Sequence, residues 1–475
     1  MFTKLGLRNF KAWRGTHEAR LRPITLVLGV NSAGKTSLLQ PLLLLQQTAA
    51  SPDRRSALDL GGQPGARLHF GTMIDVLSGH DPSQTLAFEL GFVPTVQAGR
   101  GVDAGAGVGV EAGNGAGGGA AGEVERAGQD ESLFRAAYGA TEDGGAVVLC
   151  AGFTTKGKTY EVERVTDEAY ALTAPPLSGG APAVVSPDFA PERSIAFSPE
   201  ALAALGAEGA VVRDAALALR NELSAVAYLG PLREFPARSH AWQGHAPERL
   251  GSKGEFAVQA LLAEALLMGA EGGASAEQAV RGEGEVLRSA LLEQVSRWLV
   301  VMGVADGLEL VPQGASGSYA VVVVRGKERA NLADVGFGVS QVLPILVLAH
   351  VVPRGATILL EQPEIHLHPL AQSALANLLV EVSLSRGVQF LVETHSEHLF
   401  RRLQSLLAEA AIQPDQCALH VVTHDGEGAA LHPLEVDAYG RVTRWPARLF
   451  GDAVGEAERQ LRWMVRRKQE ERGRG

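Results

Sequence analysis

GVNSAGKTS, residues 29–37, is the stretch on which the fold turns. It matches G-x-x-x-x-G-K-[ST] at Gly29, Gly34, Lys35 and Thr36. The chemistry needs this spacing. Glycines let the backbone curl so that several N–H groups point at phosphate oxygens, and the following helix adds its positive end. Lys35 supplies a cation for the β- and γ-phosphates, and Thr36 offers a hydroxyl to Mg²⁺. Gly29, Asn31, Ser32, Ala33, Gly34, Lys35, Thr36 and Ser37 are therefore candidate nucleotide contacts. The flanks agree. ITLVL, residues 24–28, is a continuous apolar run, as in a strand buried on both faces, and TSLLQPLLLLQQ reads as a helix.

Working outward, a second apolar run ends in acid. LLEQPEIHLHP, residues 359–369, follows ATI and delivers Glu361 at a strand end, the place from which a carboxylate reaches Mg²⁺. Pro363 stops the strand, because it has no N–H for a central ladder. Pro369 opens a helix that Gly387 closes. A third run, VQFLVETHSEH, residues 388–398, ends at His395, a candidate for holding the γ-phosphate or the attacking water. A fourth, ADVGFGVSQVLPILVLAH, residues 333–350, sets two glycines before Ser340 and Gln341 at a helix start, a second anion site by the dipole argument.

The rest of the chain frames these motifs. It has 475 residues, 46% of them hydrophobic, and a net charge of −10. That charge argues against a uniformly basic nucleic-acid coat. Cys150 and Cys417 are the two cysteines, in no metal-like spacing, and read as reduced buried thiols of a cytoplasmic protein. The N-terminus has charges and no long apolar stretch, so neither a signal peptide nor a membrane span is expected. Between residues 85 and 173 TLAFELGF, AVVLCAGFTT, KTYEVERV and YALTA read as strands of an antiparallel sheet. Residues 101–122, almost all Gly and Ala, lack side chains to pack a core and read as a flexible insertion. Residues 199–302 carry helical spacing, YAVVVVRG is a strand, and residues 418–442 read as a hairpin or meander before a charged last helix.

The four motifs in this order resemble the ABC-type ATPase heads of the SMC, DNA-repair and overcoming-lysogenization-defect (OLD) nuclease class. LGLRNFKAWRG resembles the first strands of that class, GFGVSQVLPIL its signature, LLEQPEIHLHP its magnesium-carboxylate segment and VETHSEHL its switch histidine. YLGPLREFPAR and GRVTRWPARLF resemble stand-alone bacterial AAA-type ATPases with a C-terminal domain of unknown function. The resemblance implies an α/β fold: a P-loop NTPase with an ABC-type split head, an antiparallel β subdomain and a helical insertion. The expected segments are residues 1–95, an ATPase lobe with the P-loop; 96–197, the β subdomain; 198–310, the helical subdomain; 311–410, the second ATPase lobe; and 411–475, a β meander and basic helix. It also implies a homodimer around ATP and Mg²⁺. Gly338, Ser340 and Gln341 of one protomer would close the P-loop of the other, with Thr36 and Glu361 on the metal. The partner it implies is an effector, a nuclease or similar, in antiphage defence or DNA maintenance.

Two residues depart from that class. Glu361 replaces its usual Asp, and Gln362 stands where its catalytic Glu would. An amide orients water but cannot take its proton. General-base help is worth roughly 10²–10⁴-fold, so slow turnover is expected, with Glu361, Glu364 and His395 as candidate substitutes. Three readings stay open: a slow ATPase controlling a partner, a nucleotide-gated scaffold that scarcely hydrolyses, and a nuclease itself. The last is disfavoured, because no Asp/Glu cluster suited to two metals follows His395. His366 and His368 could be a metal pair or a dimer-facing loop, Arg233 a phosphate ligand or a structural ion pair, and the tail around Arg462, Arg466, Arg467 and Lys468 a DNA contact or a solvated helix.

Overall fold

The computed structural model describes residues 1–62, 68–94, 131–175, 184–271, 286–314, 317–443 and 462–464. The Gly/Ala-rich insertion and most of the basic tail lie outside them. Contacts group the chain into two compact units. One comprises Met1–Arg20, Gln40–Val226 and Gly355–Thr357; the other comprises Leu21–Leu39, Ala227–Arg354 and Ile358–Gly475. The units interleave along the chain. Strand pairing between distant residues is the reason, and no local pattern announces it.

The first unit is built on an eight-stranded antiparallel sheet. Its strands run in the order Trp13–Arg20, Phe2–Phe10, Leu86–Phe92, Ser132–Ala140, Ala146–Thr155, Lys158–Arg164, Tyr170–Thr173, Val184–Ser186. Phe2–Phe10, expected in the ATPase lobe, pairs with Leu86–Phe92 in this sheet. Burial alternates along the strands, as in Ser132–Ala140, where Phe134, Ala136 and Tyr138 face inward. The helix Glu208–Ser224 belongs to the same unit.

The second unit is built on a six-stranded sheet in the order Val226–Leu229, Thr357–Glu361, Gln389–Glu393, Ile24–Gly29, Cys417–His424, Ala429–Leu434. Ile24–Gly29 pairs in parallel with Gln389–Glu393 on one side and Cys417–His424 on the other. That is the split head: the N-terminal strand completes a sheet whose neighbours lie more than 350 residues on. The three motif strands are buried throughout. Gly29 is required where it stands: its φ is +146°, and a Cβ there would meet the Val422 carbonyl oxygen at 2.3 Å.

One expectation is corrected here. VAYL, read within a helical stretch, forms the edge strand Val226–Leu229. The hairpin Cys417–His424 and Ala429–Leu434 extends the six-stranded sheet. A smaller sheet joins His240–Ala241, Ser318–Arg325 and Gly307–Pro312, with Glu328–Asn331 pairing on Ser318–Arg325.

Candidate functional site

The chemistry gathers where three buried strands end side by side. The P-loop leaves Gly29 with Asn31 and Ser32 exposed, Ser32 in left-handed backbone at φ +61°, and turns into the helix Lys35–Ala50. The Ser37 hydroxyl and the Leu38 N–H both donate to the Gly34 carbonyl and fix that turn. Lys35 is buried. Its ammonium donates to the Val30 carbonyl at 2.8 Å and lies 3.9 Å from Glu393. Burial lowers its pKa, partly offset by Glu393 and Glu364.

The carboxylate that Thr36 reaches is Glu393. The Thr36 hydroxyl donates to Glu393 Oε2 at 2.7 Å. Glu361, the sequence candidate for metal, instead accepts from the Tyr228 hydroxyl at 3.0 Å. Burial, then the nearby Glu393 charge, push Glu361 up to about 7. Gln362 sits in left-handed backbone at φ +44°, held by its N–H on the Glu393 carbonyl. Non-glycine residues at positive φ cost energy and concentrate at functional sites.

Glu364 and His395 meet. The His395 backbone N–H donates to Glu364 Oε1 at 2.6 Å, while Glu364 Oε2 and His395 Nε2 are buried without a partner. Burial raises the Glu364 pKa against the hydrogen bonds it accepts. Burial, then Lys35, lower that of His395, which favours neutral imidazole at pH 7. Together with Gly29, Ser396 and His398 they line a pocket of about 390 Å³. Arg233 is buried beside this group. It donates to the Glu361 carbonyl at 3.4 Å, and its Nε and Nη1 have no partner. Burial lowers its pKa to about 10, so it keeps its charge at neutral pH.

Residues 274–401 match a family model described as "AAA domain, putative AbiEii toxin, Type IV TA system". Residues 412–460 match "Protein of unknown function (DUF3696)". Residues 274–401 are thus similar to an AAA-type ATPase domain. That match spans the segments around Ser340, Glu361 and His395, and the P-loop sequence stands apart at residues 29–37. No curated protein matches the chain. Among solved structures, an Smc head bound to the C-terminal winged-helix domain of ScpA is similar at 12% identity, 91% of this chain, 97% of that one and a TM-score of 0.44. The SMC head domain from Thermotoga maritima is similar at 12% identity, 92% and 99% coverage and a TM-score of 0.37. The fold assignment rests on the strand order and P-loop of this chain, not on these likenesses.

Gly338, Ser340 and Gln341 open the helix Phe337–Val351. Ser340 is buried and its hydroxyl donates to the Phe337 carbonyl; Gly338 faces the His366 carbonyl and Val304. Phe337 is exposed and touches both Phe235 and His366, with ring centroids 5.9 Å apart in each pair. His368 caps the helix Pro369–Arg386, so the two histidines serve separate ends of one loop. Among the described residues no cluster of three or more His, Cys, Asp or Glu is arranged for a metal. Mg²⁺ needs none, since it takes one or two carboxylates and completes its octahedron with phosphate and water. Hard oxygens of Thr36, Glu361 and Glu393 fit it. Among the described residues no helix is long and apolar enough to cross a membrane.

Two site residues escaped the sequence reading. Glu393 ends an apolar run two residues before His395, the same signal that singled out Glu361. Tyr228 opens the stretch YLGPLREFPAR, but nothing in it marks the tyrosine as a partner of Glu361.

Proposed function

We propose that this head is a slow ATP hydrolase whose long-lived ATP state acts on a partner. The observation that carries the reading is the convergence of Lys35, Thr36, Glu364 and His395, from separate segments, on one buried strand-end site. Lys35 and the P-loop N–H groups bind the phosphates, and Thr36 with the neighbouring carboxylates holds Mg²⁺, which neutralises charge on the β- and γ-oxygens when bound. His395 hydrogen-bonds the terminal phosphate or the water. Gln362 orients water without taking its proton, and Glu364, its Oε2 free, is the acceptor nearest to hand.

A second copy closes the site in this reading, with Gly338, Ser340 and Gln341 set across the partner's P-loop. The exposed Phe337, Phe235 and Leu232 around the signature support it, because an apolar patch of this kind marks an interface. The effector is a nuclease or similar protein in antiphage defence or DNA maintenance, and the setting is the cytoplasm. A nucleotide-gated scaffold with negligible hydrolysis is the second reading, and Gln362 is the observation that favours it.

ATP turnover by the purified chain, beside Lys35→Ala and Gln362→Glu and with sizing in ATP, tests the proposal. Slow wild-type turnover, dimers with ATP, loss in Lys35→Ala and a gain of about 10²-fold in Gln362→Glu are expected. Turnover of tens per second without a partner, unchanged in Gln362→Glu, would sink the slow-switch reading. Dimers with no turnover even in Gln362→Glu would favour the scaffold.

A further inference from the structure

We propose that Glu393, on the switch strand, is the carboxylate that faces the nucleotide's magnesium, in place of Glu361. This rests on the ATPase reading above and reassigns one role within it.

Sheet order carries the first part of the argument. Gln389–Glu393 lies between the P-loop strand and Thr357–Glu361, with Glu393 in register with Val27. Neighbouring strands are about 4.8 Å apart. Glu393 is thus one spacing from the P-loop strand and Glu361 two, roughly 10 Å.

Side-chain direction carries the second part. Glu393 turns toward the P-loop: Oε2 accepts from Thr36 at 2.7 Å and Oε1 lies 3.9 Å from the Lys35 ammonium. Its side chain is 3% exposed, so its setting is fixed by packing. Glu361 is engaged on the other side, by Tyr228 from the edge strand Val226–Leu229, with Arg233 on its carbonyl. Tyr228 comes from the side of the sheet away from the P-loop strand.

Metal geometry carries the third part. In octahedral Mg²⁺ with oxygens at about 2.1 Å, adjacent ligands are about 3 Å apart. Thr36 Oγ1 and Glu393 Oε2 are already at nearly that spacing. An ion entering beside Thr36 meets Glu393 either directly or through one bound water. The same short strand then carries the metal carboxylate and, two residues later, His395. Metal and terminal phosphate are read by one element.

The test is the metal dependence of ATP binding, read with a fluorescent ATP analogue with and without Mg²⁺, and by Mn²⁺ electron paramagnetic resonance in the presence of ATP. In wild type Mg²⁺ strengthens binding. Glu393→Gln is expected to weaken Mn²⁺ binding at least about tenfold and to erase most of the Mg²⁺ effect. Glu361→Gln is expected to change either by no more than about threefold. Glu393→Asp keeps the charge and shortens the reach, and is expected to fall between; it also serves if Glu393→Gln melts early. Loss of metal dependence in Glu361→Gln with retention in Glu393→Gln or Glu393→Asp overturns the assignment while leaving the ATPase reading intact. A wild type that binds no ATP overturns both.

Discussion

The eight-stranded sheet and the six-stranded sheet solve opposite problems with similar residues. In the first, polar side chains find one another. Lys4 sits 2.8 Å from Glu18 and 2.5 Å from Glu89, and Arg135 reaches Glu89 at 2.6 Å. In the second, buried polar atoms at the strand ends are left over: Arg233 Nε and Nη1, Glu364 Oε2 and His395 Nε2. A buried polar group without a partner costs roughly 1–3 kcal/mol. Such atoms also occur singly elsewhere, at Arg164, His240 and Trp298, but four of them gather around this one site. The antiparallel sheet leaves Arg164 Nε unpaired on one strand; the other sheet gathers its unpaired atoms at one set of strand ends.

The most forceful way to break that contrast is to damage the antiparallel sheet's core. Phe134 is fully buried and packs 5.3 Å from Phe153, centroid to centroid. Phe134→Ala should cost about 3–5 kcal/mol, read as a lowered denaturant midpoint. The fraction that stays folded should bind ATP with unchanged affinity. A selective loss of ATP affinity at unchanged stability would show that the first sheet serves the site directly.

How much of this was legible in the residues follows the same line. The P-loop could be read because its chemistry is local: nine residues contain the turn, the cation and the hydroxyl. The buried strands could be read because both faces are covered and the sequence is apolar throughout. Strand order could not. Nothing in VETHS says that its glutamate lies beside the P-loop, since that contact spans 357 residues. Nor does CALHVVTH show that it pairs with Ile24–Gly29. The edge strand Val226–Leu229 was hidden by the helix before it, which ends only at Ser224.

A pH experiment sharpens the contrast at Glu361. Its folded pKa is raised from 4.5 to about 7. The folded state therefore holds that proton more tightly than the unfolded chain does. The stabilisation is full below about pH 4.5 and is lost as pH rises toward and through 7. Its size is on the order of 3 kcal/mol. The difference in unfolding free energy between wild type and Glu361→Gln, taken without nucleotide from pH 5 to pH 8, should fall across that window. A flat difference would mean that the carboxylate is ionised in the fold, and that Tyr228 and Arg233 outweigh its burial.

The smallest effect is expected at Glu89, and it separates the two sheets most cleanly. Glu89 and Glu393 are both glutamates near a lysine. Glu89 faces Arg135 directly across the strand pair, with Lys4 alongside, and all three are partly solvated. Burial pushes its pKa up, but Lys4 and Arg135 together hold it below the usual value. Glu89→Ala should cost only about 0.5–1 kcal/mol, because exposed cross-strand pairs contribute little. Most of that cost should vanish in 1 M salt, where the screening length is about 3 Å, and ATP binding should not move. Glu393 has 3% exposure and a hydroxyl and an ammonium that belong to the nucleotide loop. Its removal should register in metal binding at any salt. If Glu89→Ala instead shifted metal-dependent ATP binding, the antiparallel sheet would not be the self-sufficient structure that its closed charge pairs describe.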